Sequence, residues 1–168
     1  MARRPMAIVT DSACDLSEEH VRAHGIHVTP LVLVDGDKMY RDGIDITADE
    51  FHSMLAEQEA LPTTSQPAPA DFIDSYARAA EEGESILGVL ASSTLSGTFA
   101  SGEAAAWRFD STRVHLVDSK GASLLEGLMV LKACELAELA WEPEDIVEEL
   151  DRVRRQSGIL FTVQTFER

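Results

Sequence analysis

The stretch Ser92-Ser93-Thr94-Leu95-Ser96-Gly97-Thr98 gathers hydroxyl donors around a single glycine. This is the composition of an anion cradle. Gly97 lets the backbone approach a ligand, and Ser96 and Thr98 add side-chain donors. The stretch contains no Lys, which excludes a Walker-type phosphate loop. A small, singly charged guest such as a carboxylate suits it. The same residues also serve as a plain helix N-cap, so the loop alone leaves both readings open. A second hydroxyl-rich segment, Pro62-Thr63-Thr64-Ser65-Gln66-Pro67, has prolines stiffening its ends and donors throughout its middle. It is expected to be a loop between two helices. Two such segments could converge on one anion, but the sequence alone does not show that they meet.

Other residues with chemical potential have simpler readings beside the functional one. Asp11 and Asp118 could form an acid pair or hold Mg²⁺. Each also falls at a predicted strand end, where Asp accepts backbone N–H bonds. His20 and His24 share helical spacing, but no third ligand stands near them in the pattern. His115 lies inside an apolar strand. Ser96 sits at a strand-to-helix turn, as a hydrolase nucleophile would. Yet Leu95-Ser96-Gly97 lacks the G-x-S-x-G elbow, and no His has the context to activate it. A serine hydrolase using Ser96, and a structural or interaction lobe without ligand, are the alternatives to ligand binding.

The elements that must position these residues alternate. Strands are expected over residues 6–9, 27–34, 86–91, 114–117 and 159–163. Helices are expected over 18–24, from about Thr47 with a Thr47/Glu50 capping box, and over 70–80, 99–107 and 123–139. A further helix opens at Pro143, carries Glu144 and Asp145 at its positive end and Arg152, Arg154 and Arg155 at its negative end, and stops before Gly158. Leu124, Leu128, Leu131 and Leu139 make 123–139 the longest apolar helix. Asp35-Gly36-Asp37 reads as a turn. Strands alternating with helices imply an α/β fold: a mainly parallel sheet with helices on both faces. Ligands of such sheets sit beyond the carboxyl ends of the strands. Thr10-Asp11-Ser12, the 92–98 stretch and Asp118-Ser119 all follow predicted strands, so fold and motif point to one edge.

The order of these motifs carries a family resemblance. Ile8-Val9-Thr10-Asp11-Ser12-Ala13-Cys14-Asp15-Leu16 resembles the opening signature of the DegV family of bacterial fatty-acid-binding proteins. So do Pro30-Leu31, Thr64-Ser65-Gln66-Pro67, Ser92 to Phe99, and Val117-Asp118-Ser119, in the family's order. The resemblance implies the N-terminal lobe of the DegV (EDD) fold over residues 1–158. Residues 159–168 would be the start of a second lobe, whose body, with a histidine that helps hold the ligand, this sequence lacks. It implies a long-chain fatty acid as ligand and no cofactor. The fatty acid's carboxylate would sit on Thr64 and Ser96 with Gly97 giving backbone approach, and Ser65, Thr98, Thr10, Asp11 and Ser12 would neighbour it. The acyl chain would be buried between two lobes. It also implies a separate fatty acid kinase as partner, which converts the held carboxylate to an acyl phosphate for phospholipid synthesis. On this reading the chain is a binding subunit without catalytic groups.

Composition bounds the rest. The 168 residues suit one domain, and 45% hydrophobic residues suit an ordinary core. Thirty acids against 14 bases give a formal charge of −16, which argues against nucleic acid and against an anionic membrane surface. Long-range charge would repel a fatty acid anion, so local donors must do the holding. Cys14 and Cys134 form no C-x-x-C and have no His at ligand spacing, which argues against metal or redox roles. With no signal-length or membrane-length apolar run, a cytoplasmic location is expected, without stable membrane insertion.

Overall fold

A computed structural model describes residues 4–57, 61–110, 113–160 and 162. In chain order the elements are β1 (Arg4–Asp11), a 3₁₀ turn (Ser12–Cys14), α1 (Glu18–His24), β2 (His27–Thr29), β3 (Val32–Asp35) and β4 (Lys38–Arg41). They continue with α2 (Ala48–Glu57), β5 (Thr63–Ser65), α3 (Pro69–Glu82), β6 (Gly83–Leu90), α4 (Thr98–Ala106), β7 (Val114–Asp118), α5 (Leu124–Glu138) and α6 (Pro143–Arg155).

The core is a four-stranded parallel sheet in the order β2-β1-β6-β7. Its central strands alternate between two apolar layers, as the two-residue side-chain period requires. Ala7 and Val9 of β1 join Phe72, Tyr76 and Ala79 of α3 and Ala105 of α4 on one face. Met6 and Ile8 join Met129, Val130 and Ala133 of α5 and Ile146 and Leu150 of α6 on the other. Helices therefore cover both faces, as the alternation predicts. Tyr76, Phe72, Ile86, Leu87 and Leu90 are fully buried. Each such side chain contributes roughly 1.5–3 kcal/mol on burial.

Several details differ from the sequence pattern. The expected strand over 27–34 breaks at Pro30-Leu31. Pro30 has no N–H to give a ladder, so β2 ends on the parallel sheet and β3 starts a second sheet. That sheet is antiparallel, three-stranded, in the order β4-β3-β5. Gly36, at φ +59°, turns β3 into β4. The segment read as a loop between helices is strand β5, paired to β3 through Leu33↔Thr64. The apolar spacing of α5 also misleads: Leu124, Leu128 and Leu139 are exposed, and Met129, Val130, Ala133, Cys134 and Leu136 are the buried side chains. Ile159, Leu160 and Thr162 form no strand, and the remainder of the expected 159–163 strand lies outside the described residues.

The capping box at Thr47 and Glu50 is present: the Thr47 N–H donates to Glu50 Oε2 at 2.8 Å and the Glu50 N–H to Thr47 Oγ1 at 3.3 Å. No helix among the described residues is long and apolar enough to cross a membrane.

Candidate functional site: a hydroxyl rim over a buried acid pair

Parallel pairing puts the carboxyl ends of β1, β6 and β7 at one sheet edge, with Leu90 opposite Asp118. From β6 the chain runs through Ala91 and the 92–98 loop into α4. Thr98 opens α4 with Gly97 as its cap, so the first amides of a nine-residue helix point into the loop without intrahelical acceptors. Ser96 Oγ lies 2.8 Å from Thr98 Oγ1 and accepts the Thr98 N–H at 3.2 Å. Ser92 Oγ similarly meets Thr94 Oγ1 at 2.7 Å. These bonds fold the hydroxyls into a tight rim. The partners of Ser96 Oγ are the hydroxyl and amide of Thr98, not a histidine, which gives the hydrolase reading no support.

The two hydroxyl segments meet. A Cβ placed on Gly97 would stand 2.6 Å from Gln66 Nε2 and 2.8 Å from Gln66 Cδ, so the Gln66 side chain lies directly against the glycine backbone. Gln66 follows β5, which presents Thr63, Thr64 and Ser65 as exposed residues. Thr64 and Ser65 directly precede the residue that touches Gly97.

Asp11 and Ser12 stand differently. Ser12 Oγ accepts the Leu31 N–H at 3.0 Å and fastens the crossover from one sheet to the other. Asp11 is fully buried, and its carboxylate accepts the Ala13 N–H at 3.0 Å and the Ala91 N–H at 2.8 Å. It ties the end of β1 to the root of the 92–98 loop. Asp118 accepts from the Ser93 and Lys120 amides at 3.2 and 3.0 Å. Asp11 and Asp118 therefore do what Asp does at strand ends, and no group of three or more metal-ligating side chains exists among the described residues. His20 Nδ1 pairs with Ser17 Oγ, and His24 Nδ1 with Glu138. Trp107 is exposed, while Phe99 packs against the α3 core.

Two residues of the site escape a reading by motif. Lys120 Nζ reaches Ser93 Oγ at 2.8 Å and contacts the Asp118 carboxylate, so a cation borders the rim after all, brought by the loop after β7. Lys120 and Ser123 there take left-handed backbone, at φ 52° and 56°. Burial works against the Asp118 charge, but Lys120 and Ser93 outweigh it and hold the carboxyl below its ordinary pKa.

The second is Glu126, fully buried on the first turn of α5 and close enough to Asp11 to feel its charge. Burial first, then the Asp11 charge, push its pKa up to about 10. Burial also raises Asp11, against the pull of its amide donors and Glu126. An acid on the face otherwise lined by Met129, Val130 and Ala133 is the signal that betrays Glu126, since its spacing places it with the core. Beside the 3₁₀ turn a half-open cavity of about 670 Å³ has Leu16, Val21, Val28, Pro30 and Ile44 on its wall together with Ser12 and the charged Asp15, Glu18, Arg22 and Asp42.

A parallel α/β lobe whose strand-end loops form a hydroxyl rim is a ligand-holding fold. The sequence model of the DegV family, described as an uncharacterised protein family, matches residues 5–168, and the chain belongs to that family. A DegV domain-containing protein of Deinococcus radiodurans is 39% identical over 162 residues, spanning 96% of this chain and 57% of its own length. Among solved structures, a Thermus thermophilus DegV family protein described by its fatty acid binding superposes with TM-score 0.82 at 42% identity, covering 90% of this chain and 54% of that one. DegV of Bacillus subtilis, described as a fatty acid binding protein, gives TM-score 0.83 at 32% identity, with 90% and 54% covered. The chain spans just over half the length of these relatives.

Proposed function

We propose that this chain is the carboxylate-holding lobe of a fatty-acid-binding protein. Ser96, Gly97 and Thr98 would hold the carboxylate from the β6 side, and Thr64 and Ser65 from the β5 side. The contact of Gln66 with Gly97 supports this reading, because it brings together two hydroxyl segments about thirty residues apart in the chain. The fatty acids described for the Thermus and Bacillus relatives support the ligand class.

The magnitudes divide the work. Burying a CH₂ is worth about 0.8 kcal/mol, so a sixteen-carbon chain supplies on the order of 12 kcal/mol when fully enclosed. Each hydrogen bond to the charged head adds roughly 1.5–3 kcal/mol. The tail would set affinity and the rim would set polarity and register. Residues 1–158 would form one lobe, with 159–168 leading into a second that closes over the acyl chain. The apolar part of the cavity by the 3₁₀ turn would offer wall for that chain.

In this reading a separate kinase phosphorylates the presented carboxylate, and the product feeds phospholipid synthesis in the cytoplasm. Two cysteines in 168 residues suit a reducing compartment. The rim offers donors but no activated nucleophile, which suits a carrier. Organic extraction of the purified full-length gene product, with mass spectrometry of the extract, tests it. A fatty acid near one-to-one stoichiometry is expected. A lipid-free product that also fails to take up added palmitate would overturn it.

A further inference from the structure

Glu126 has no exposed surface. Thr10 Oγ1 donates to its Oε1 at 3.1 Å, and Oε2 receives no hydrogen bond from any described group. The carboxyl interacts directly with that of Asp11, whose oxygens already accept the Ala13 and Ala91 amides. A buried carboxylate with a bare oxygen is costly, and two interacting buried carboxylates cannot both ionise. Asp11, with two amide donors, is the member suited to keep the charge. Glu126, with one hydroxyl and no amide, is the member suited to keep the proton and donate it.

We propose that Glu126 is a positioning residue of the carboxylate site: its neutral carboxyl donates to Asp11, locks the head of α5 to the strand ends from which the 92–98 loop springs, and leaves one buried charge instead of two beneath an anionic ligand. The part concerning the ligand rests on the fatty-acid reading; the shared proton does not. The other ionisable groups acting on the pair are Cys14 and Asp15, from the 3₁₀ turn and the residue after it, and Tyr76 of α3, which feels Asp11. From β6 the pair meets the Ala91 amide just past the strand, and α6 turns the apolar Ile146 and Leu150 into the layer beneath α5.

The sign of the pH effect follows. Glu126 titrates near its ordinary 4.5 in the unfolded chain and near 10 in the folded one. Its contribution to stability is complete below pH 4.5 and drains away as pH rises towards 10, because the unfolded chain releases the proton first. E126Q keeps both a donor for Asp11 and an acceptor for Thr10, and has no proton to lose.

The experiment is urea unfolding of the full-length wild type, E126Q and E126A from pH 5 to pH 9, with palmitate affinity measured on the same samples at pH 7. E126Q should match wild type at pH 5 and then exceed it, the ratio of their folding constants rising by up to tenfold per pH unit. E126A should be less stable than E126Q at every pH. E126A should bind palmitate at least about tenfold more weakly than wild type, and E126Q, an isosteric donor, should recover most of that loss. Parallel pH profiles for wild type and E126Q would overturn the shared proton. If E126Q fails to fold, infrared spectra of the wild type decide instead: a protonated-carboxyl carbonyl band at pH 8 is expected, and its absence overturns the proposal. Equal palmitate affinity in E126A and wild type would overturn the positioning role. Failure of the wild type to bind palmitate overturns the fatty-acid reading, and the folding curves still decide the acid pair.

Discussion

The parallel sheet and the antiparallel sheet carry the two sides of one rim on supports of very different depth. Ser96 springs from β6, whose last five residues are buried between α3 and α4 on one face and α5 and α6 on the other. Thr64 sits on β5, a three-residue strand exposed along its length and held by the β3 ladder. Buried strands contribute to the global free energy of folding, whereas a short, solvated sheet opens on its own. The difference teaches that a rim built from both can be half rigid and half adaptable, with ligand binding expected to order the weaker side.

The largest effect should come from the deep support. Phe72→Ala removes a fully buried ring beneath β1 and β6 and should cost about 3–5 kcal/mol in urea unfolding, with every probe moving together. Leu33→Ala, in the small sheet, should leave that global transition nearly in place. It should instead speed hydrogen exchange in residues 32–41 and 63–65 and weaken fatty acid binding through Thr64. A global loss from Leu33→Ala as large as that from Phe72→Ala would erase the distinction between the two supports.

A smaller effect sharpens the place where they touch. Gly97 has ordinary φ, −74°, so a side chain there strains no backbone and first meets the end of Gln66. Gly97→Val should therefore change folding stability by under about 1 kcal/mol. It should weaken palmitate binding at least about tenfold by parting the two segments, which is ~1.4 kcal/mol. Titration calorimetry reads the second effect and urea unfolding the first. Equal palmitate affinity in G97V would separate the Gln66 contact from the site.

The smallest effect concerns the cation at the rim. Lys120→Met should cost roughly 0.2–1 kcal/mol at pH 7, since its partner Asp118 is part-buried but the ammonium is solvated. Asp118 is held below its ordinary 3.8, so this stabilisation is present above that pH and lost as pH falls through the lower folded value. Wild type and K120M should converge in acid unfolding once the pH has fallen below the depressed folded value of Asp118. A difference that persists there would assign Lys120 a role other than its ion pair.

Much of this was legible in the residues. The parallel sheet follows from alternation of apolar runs and capped helices, and the edge that bears the 92–98 loop follows from where the hydroxyls stand. The second sheet was not legible for a physical reason: β5 is Thr63-Thr64-Ser65, exposed and polar, and carries no hydrophobic period. The break at Pro30-Leu31 was visible only as a missing N–H inside a β-branched run. The leucines of α5 mark a wide apolar surface, and tertiary packing chose the Met129, Val130 and Ala133 face for the core. Lys120 reaches Ser93 across 27 residues of chain, a separation that no local pattern encodes. Glu126 was readable only as an acid at a core-facing position of an apolar helix, which its place in the first turn explains equally well.

Palmitate titration of the full-length gene product as wild type, Thr64→Ala, Ser96→Ala and the double variant tests the rim most directly, because it forms a double-mutant cycle. One carboxylate shared by both hydroxyls predicts that each single loss weakens binding by roughly 1.5–3 kcal/mol and that the double loss departs from their sum by at least about 0.5 kcal/mol. Strict additivity, or unchanged affinity in the double variant with the fold intact, would show that the two segments do not hold one anion.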